Sequence, residues 1–217
     1  MADIESWKLG LPILGAIILS IQNLLLLYFI IRALFQGGSL QDFYFVYNLD
    51  LIGFSILGVG CFLLSIRHHR IINPLVAGVA FFSWIGFILL WRLINNNMAP
   101  YFWADEPPDL IIALFFFLGA ISLVIAFFFY WRSLSEYEGG RLNLIGLIVS
   151  MIYTIANLLI AILVLIASLF TELGMLEPSI AFAMVFFLLS IKFLVNPILG
   201  LLNFAVVLFA LIITLKR

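Results

Sequence analysis

Long apolar stretches dominate this sequence, and short polar or charged segments separate them. Six stretches stand out, namely Leu9–Ile31, Phe45–Ile66, Ile71–Trp91, Leu110–Trp131, Leu142–Phe170 and Pro178–Leu215. An α-helix rises about 1.5 Å per residue, so about 20 apolar residues cross the ~30 Å hydrocarbon core of a bilayer. The first four stretches have this length, and the fifth is long enough to cross with a tilt. The pattern predicts an all-α, polytopic transmembrane helix bundle.

The last apolar stretch is too long for one ordinary span, because as a single helix Pro178–Leu215 would measure roughly 57 Å. It contains Lys192 and the pair Asn196-Pro197. Asn-Pro favours a turn, since the residue before a proline is pushed away from helical geometry. We therefore expect seven spans, with this stretch divided at about 179–195 and 198–215. The alternative is six spans with a long kinked or re-entrant final segment.

Composition supports the membrane class and excludes others. The chain is 66% hydrophobic and 10% charged, with a mean hydropathy of +1.29, whereas a soluble domain is about 25% charged. The net charge of −1 gives nucleic-acid binding no electrostatic basis. We expect one transmembrane helical domain over residues 1–217, with no soluble domain.

Basic residues near the span ends indicate the orientation, because cytoplasmic loops carry an excess of Lys and Arg. With the side of the N-terminus taken as the first side, that side holds Lys8, Arg67, Arg70, Arg132 and Arg141, and the second side holds Arg32 and Arg92. This bias predicts a cytoplasmic N-terminus. The tail pair Lys216-Arg217 falls on the first side with six spans and on the second with seven, so the side of the C-terminus stays open.

Polar residues at membrane depth form a candidate functional site, whose members are Lys192, Asn196, Asn203, Asn157 and Gln22. If the chain stays helical through Pro197, Lys192, Asn196, Gly200 and Asn203 share one face. An intramembrane lysine marks a functional site by default. The favoured interpretation is nevertheless that Lys192 snorkels to the surface, which needs only a turn at Asn196-Pro197, and the functional site is the alternative.

Small and polar residues follow one face of the fifth stretch at helical spacing, namely Gly146, Ser150, Tyr153, Thr154, Asn157, Ala161 and Ser168. Transmembrane helices associate through small residues and hydrogen bonds, so a packing seam is the favoured interpretation. The alternative is the polar wall of a permeation or ligand cavity.

Three charged residues lie about one turn from a span end at the outer border, namely Arg32, Asp50 and Arg92. An Arg–Asp ion pair there would neutralise charge at the edge of the hydrocarbon. We interpret these residues as a structural clamp, although a solute-binding site would use the same side chains.

No catalytic, cofactor or metal motif stands out. The sequence has no GxGxxG, P-loop, HExxH or GxSxG pattern. The adjacent His68-His69 cannot ligate haem from facing helices, and the acidic segment at 105–109 lacks the spacing of a calcium loop. We therefore expect no catalytic residues, no cofactor and no metal, and enzyme activity has no support.

Three functions are compatible with this pattern. The favoured one is a non-catalytic membrane subunit or scaffold that packs against other transmembrane helices in a homo- or hetero-oligomer within the lipid bilayer. The second is a small-solute permease or channel-like protein, which requires the polar side chains to share one space. The third is a heptahelical membrane sensor, which requires seven spans. A carboxylate that faces Lys192 would favour a functional site over simple anchoring.

Overall fold

The computed structural model describes residues 6–36, 41–66, 72–94, 110–135 and 141–215. A 3-10 turn at Ser6–Leu9 precedes six α-helices, namely α1 (Gly10–Gln36), α2 (Gln41–Ser65), α3 (Ile72–Ile94), α4 (Leu110–Ser135), α5 (Arg141–Glu172) and α6 (Pro178–Leu215). All six are long and apolar enough to cross a membrane. The predicted all-α transmembrane bundle is confirmed, and the chain is a multi-pass integral membrane protein.

The long final stretch is one helix, because α6 runs without a break from Pro178 to Leu215 and contains Pro197. A seven-span arrangement needs a turn at Asn196-Pro197, and the structure has helix there. The described residues therefore supply six candidate spans, in agreement with the six-span alternative. At roughly 57 Å, α6 must tilt or extend beyond the hydrocarbon core.

The six helices form a closed ring in chain order. Each helix packs against its neighbours in sequence, and α6 completes the ring by packing against α1. Two glycines bring α1 and α2 close together: a Cβ on Gly53 would lie 2.5 Å from Leu19 Cγ, and one on Gly60 would lie 2.6 Å from Pro12 Cδ.

The antiparallel register of α1 and α2 follows from these glycine contacts, and the shared burial of Val46 with Leu26 continues it toward the second side. Between these pairs, the register places Asp50 of α2 across from Gln22 of α1. Both residues follow the contacting residues of their helix at helical spacing, so they lie on the faces through which α1 and α2 pack. Asp50 therefore lies at the level of Gln22, and it is the third residue of the candidate span of α2, which begins at Asn48.

Aromatic rings from five helices fill the centre of the ring. They belong to Phe54 of α2, Phe81 of α3, Phe127 of α4, Tyr153 of α5 and Phe204 of α6, and their neighbouring centroids lie 5.4 to 6.4 Å apart. These separations are typical of edge-to-face and offset aromatic pairs. We name this set the aromatic plug, because its buried rings close the interior at this level.

Candidate functional site

The polar residues of α6 lie on one face of a continuous helix, turned toward α5 and α1. Asn196 accepts a hydrogen bond of 2.8 Å from Asn157 of α5. One turn further, Gly200 lies against Asn23 of α1, whose amide would collide with a Cβ on the glycine. The stripe expected for a helix that continues through Pro197 is therefore present.

Three side chains form a hydrogen-bonded group between α5 and α6. Asn157 Nδ2 donates to Asn196 Oδ1 and to the Tyr153 carbonyl oxygen, each at 2.8 Å. The Asn196 side chain also bonds the Tyr153 hydroxyl. Because the Asn196 oxygen accepts from Asn157, its NH₂ group is the donor to Tyr153. The Tyr153 hydroxyl therefore keeps its own proton for another acceptor.

Asp50 of α2 and Lys192 of α6 bring opposite charges to this group. The Asp50 carboxylate lies within electrostatic range of both the Lys192 ammonium and the Tyr153 hydroxyl. Helix α2 packs chiefly against α1 and α3, so Asp50 belongs to a helix that is not a ring neighbour of α5 or α6. We name Asp50, Tyr153, Asn157, Lys192 and Asn196 the charged cluster.

The Lys192 ammonium also lies over an aromatic face, since its Nζ is 4.0 Å from the centroid of the Phe116 ring of α4. This geometry is a cation–π interaction. Asp50, Lys192 and Asn196 are each half-buried, whereas Tyr153 and Asn157 are buried. Because Asp50 interacts with groups across the ring, we infer that its accessible surface faces the interior and not the lipid.

Gln22 of α1 has an unsatisfied buried oxygen at the level of Asp50. Its side chain is 1% exposed, and its Oε1 has no hydrogen-bond partner within the described residues. A buried acceptor without a donor costs about 1–3 kcal/mol. In the α1–α2 register this amide lies across from Asp50, so two acceptor groups lie at the same level of the bundle.

Asn203 belongs to a second polar network, nearer the first side. Trp131 Nε1 donates to Ser150 Oγ at 2.6 Å, and Ser150 Oγ donates to Asn203 Oδ1 at 2.5 Å. This network ties α4, α5 and α6 together. Asn203 lies about 10 Å along α6 from Asn196, and it adjoins Phe204 of the aromatic plug. Asn203 therefore belongs to a helix-packing contact that is separate from the charged cluster.

The small-residue face of α5 packs against other helices inside the bundle. Its predicted members are all buried, namely Gly146, Ser150, Tyr153, Thr154, Asn157, Ala161 and Ser168. Gly146 lies beneath the Trp131 indole, and Asn157 bonds α6. Most of this face therefore serves as the packing seam that the sequence indicated, and the same face contributes Tyr153 and Asn157 to the charged cluster.

The three outer-border residues occupy different positions. Arg32 is exposed, and the register places it about 15 Å further toward the second side than Asp50. Arg92 lies in the last turn of α3, and its side chain is outside the described residues. The ion pairs of Asp50 with Arg32 or Arg92 stay predictions. Asp50 lies within one turn of the start of the candidate span of α2, which begins at Asn48.

The other candidate residues add no second site. The pair His68-His69 and the acidic segment at 105–109 lie outside the described residues. Among the residues that the structure does describe, no group of three or more His, Cys, Asp and Glu side chains could hold a metal ion.

Comparison with known proteins finds no relative for this chain: no protein-family model, no curated protein and no solved structure matches it.

Proposed function

We propose that this protein is a small-solute permease that binds its solute at the charged cluster. One arrangement carries the proposal: Asp50 of α2 lies within electrostatic range of Lys192 of α6, although these two helices are not neighbours in the ring. Ionisable groups at membrane depth are costly, and they mark substrate or ion pathways when they face a bundle interior. A carboxylate that faces Lys192 also distinguishes a functional lysine from one that only anchors a helix.

The aromatic plug gives this permease a closed side. Phe54 lies one helical turn beyond Asp50 toward the first side, where it contacts Phe127 and Phe204. A solute at the charged cluster would therefore be separated from the first side by packed rings. This arrangement supports alternating access, in which the plug must rearrange before the solute can pass.

Uptake by proteoliposomes tests the permease. Vesicles that contain the purified protein are offered four labelled solutes of different charge: erythritol, guanidinium, methanesulfonate and glycine. We expect protein-dependent uptake of at least one of them. Asp50→Asn and Lys192→Met should each reduce it by about tenfold or more, because each variant leaves one interior charge uncompensated.

The matched control for uptake is Ser83→Ala, since this hydroxyl bonds its own helix at the Val79 carbonyl oxygen. This variant should retain the flux of the unmodified protein. If vesicles with folded protein take up none of the four solutes faster than protein-free vesicles, the permease proposal is wrong.

A membrane subunit or scaffold is the second candidate. The hairpin between α5 and α6 supports it by exposing large apolar side chains, namely Leu169, Phe170, Leu173, Met175, Ile180 and Phe187. Either lipid or another transmembrane helix can cover them. A folded monomer by light scattering in mild detergent would count against this candidate. The heptahelical sensor has less support, because the described residues supply six helices.

A further inference from the structure

We propose that the protein forms a parallel dimer in the membrane, in which α6 of one copy packs against α6 of a second copy. The contact would be made by six apolar residues on one face of α6, which we name the α6 seam, namely Ile180, Met184, Phe187, Ile191, Leu194 and Ile198. The inference goes beyond the permease and does not depend on it. It follows from the length of α6, from the spacing of the seam residues and from the residues that flank them.

Helix α6 extends further toward the second side than α2 does. The Phe204 ring of α6 and the Phe54 ring of α2 have centroids 5.7 Å apart in the aromatic plug, so they mark a common level. From this level α6 continues for about 39 Å to its first residue, Pro178. Helix α2 continues for only about 20 Å to its own first residue, Gln41. The end of α6 therefore stands roughly 20 Å further out.

Lipid cannot cover the whole of this helix. The first-side ends of α2 to α6 lie about 12–18 Å from the level of the aromatic plug, so a hydrocarbon core of ~30 Å ends at a similar distance on the second side. Even at a tilt of about 40°, the upper end of the range for transmembrane helices, the 38 residues of α6 would span about 44 Å. The part of α6 beyond the core is nevertheless apolar, and it exposes Ile180, Met184 and Phe187. Another protein surface is needed to cover these side chains.

The seam residues have the spacing of a coiled coil. They follow one another at intervals of four, three, four, three and four positions, which is the a/d repeat of a heptad. All six are 39 to 64% exposed, so the seam lies on the outside of the ring. Isoleucine occupies two of the three a positions, Ile191 and Ile198, and Leu194 lies at the d position between them. Isoleucine at a with leucine at d favours two parallel strands.

A second copy of this chain satisfies that geometry. Two copies inserted into one membrane in the same orientation hold their α6 helices parallel, and a twofold axis along the membrane normal places each seam position against its own equivalent. The positions that flank the seam carry no charge, namely Ala183, Leu188, Ser190 and Val195. Like charges therefore do not meet across the axis. Ala183 and Ser190 are also small enough to let the two backbones approach closely.

The exposed area of the seam is sufficient for a dimer. Each seam residue is about half exposed, and a large apolar side chain presents on the order of 200 Å², so the seam offers roughly 600 Å² on each copy. Two copies would bury roughly 1,200 Å², which is the lower end of the range for specific interfaces. The Lys192 ammonium lies over the Phe116 ring of α4, on a different face of α6, so the dimer leaves the charged cluster uncovered.

Disulfide cross-linking in lipid vesicles tests the dimer. Phe187→Cys places a thiol at a d position, where the side chains of two parallel copies face each other, and mild oxidation should convert most of this variant to a covalent dimer. Phe186→Cys is the matched control, because Phe186 is adjacent and also exposed but points about 100° away around the helix. It should cross-link about fivefold less. The native Cys61 is buried, so it should not react. Equal cross-linking at both positions, or none at either, would overturn the dimer.

Energy transfer between labelled copies in vesicles measures the same contact without a new cysteine at the seam. As the protein is diluted with lipid, Phe187→Ala should dissociate about tenfold more readily than the unmodified chain, because large aromatic side chains dominate such contacts. Phe186→Ala should stay within about twofold of the unmodified chain. If the unmodified chain is monomeric even at the highest ratio of protein to lipid, the proposal is wrong, and a different protein or a locally thickened bilayer covers the end of α6.

Discussion

Replacement of Gly146 by alanine should destabilise the bundle. A Cβ at this position of α5 would lie 2.5 Å from Trp131 Cζ3, and the indole is held in place by its hydrogen bond to Ser150 at 2.6 Å. Overpacking costs about 1–3 kcal/mol, and a broken buried hydrogen bond costs about 1 kcal/mol more. Removal of a helical glycine returns about 0.5–1 kcal/mol. We expect a net loss of about 1–3 kcal/mol.

The assay is reversible unfolding in mixed detergent micelles by titration with sodium dodecyl sulfate, followed by tryptophan fluorescence. Gly86→Ala in α3 is the matched control, because a Cβ there meets no other atom within 4 Å. It should leave the free energy of unfolding unchanged or raise it by up to about 1 kcal/mol. If Gly146→Ala is as stable as Gly86→Ala, the described contact between α4 and α5 is wrong.

Three further predictions concern the interior of the ring. Phe127→Ala should lower the free energy of unfolding by about 3–5 kcal/mol, because it leaves a cavity in the aromatic plug. A loss below about 1 kcal/mol in the same titration would show that the centre of the ring is not packed. Ser150→Ala should cost about 1–3 kcal/mol by leaving the Trp131 N–H unpaired, and it should shift the tryptophan emission; an unchanged spectrum and stability would argue against that bond. Cys61 is 0% exposed, so a membrane-permeant maleimide should label it only after denaturation, and fast labelling of the native protein would contradict its burial.

Helix positions could be predicted well from the sequence, because the hydrocarbon core imposes a length on every span. The predicted fourth stretch, Leu110–Trp131, begins at the first residue of α4 and ends one turn before Ser135. The predicted third stretch, Ile71–Trp91, lies within a few residues of α3 at each end. Apolar runs bounded by charged or turn residues therefore predict the positions of most helices in a membrane protein.

The continuity of α6 could not be predicted from local rules. Asn-Pro favours a turn in isolation, but Asn196 is held by its hydrogen bond to Asn157, which lies 39 positions earlier in the chain. Neighbouring helices can satisfy the backbone group that a proline frees in a transmembrane helix. The packing of α5 against α6 therefore overrides the local preference.

Most members of the charged cluster could be predicted, but their partners could not. Lys192, Asn196 and Asn157 were identifiable as polar residues in apolar stretches. Asp50 was expected to pair with Arg32 or Arg92 at the membrane border, and its proximity to Lys192 was not predicted. The closure of α6 against α1 brings α2 and α6 into the same ring, and no periodicity within one helix reveals which distant helix it faces.

The coupling between Asp50 and Lys192 is tested most directly by a double-mutant cycle. The free energy of unfolding is measured for Asp50→Asn, Lys192→Met and the double variant, all in the same detergent. Each single variant leaves one charge uncompensated inside the ring, so the double variant should be more stable than the sum of the single effects predicts, by about 1–3 kcal/mol. Additivity within about 0.5 kcal/mol would show that the two charges do not meet in the interior.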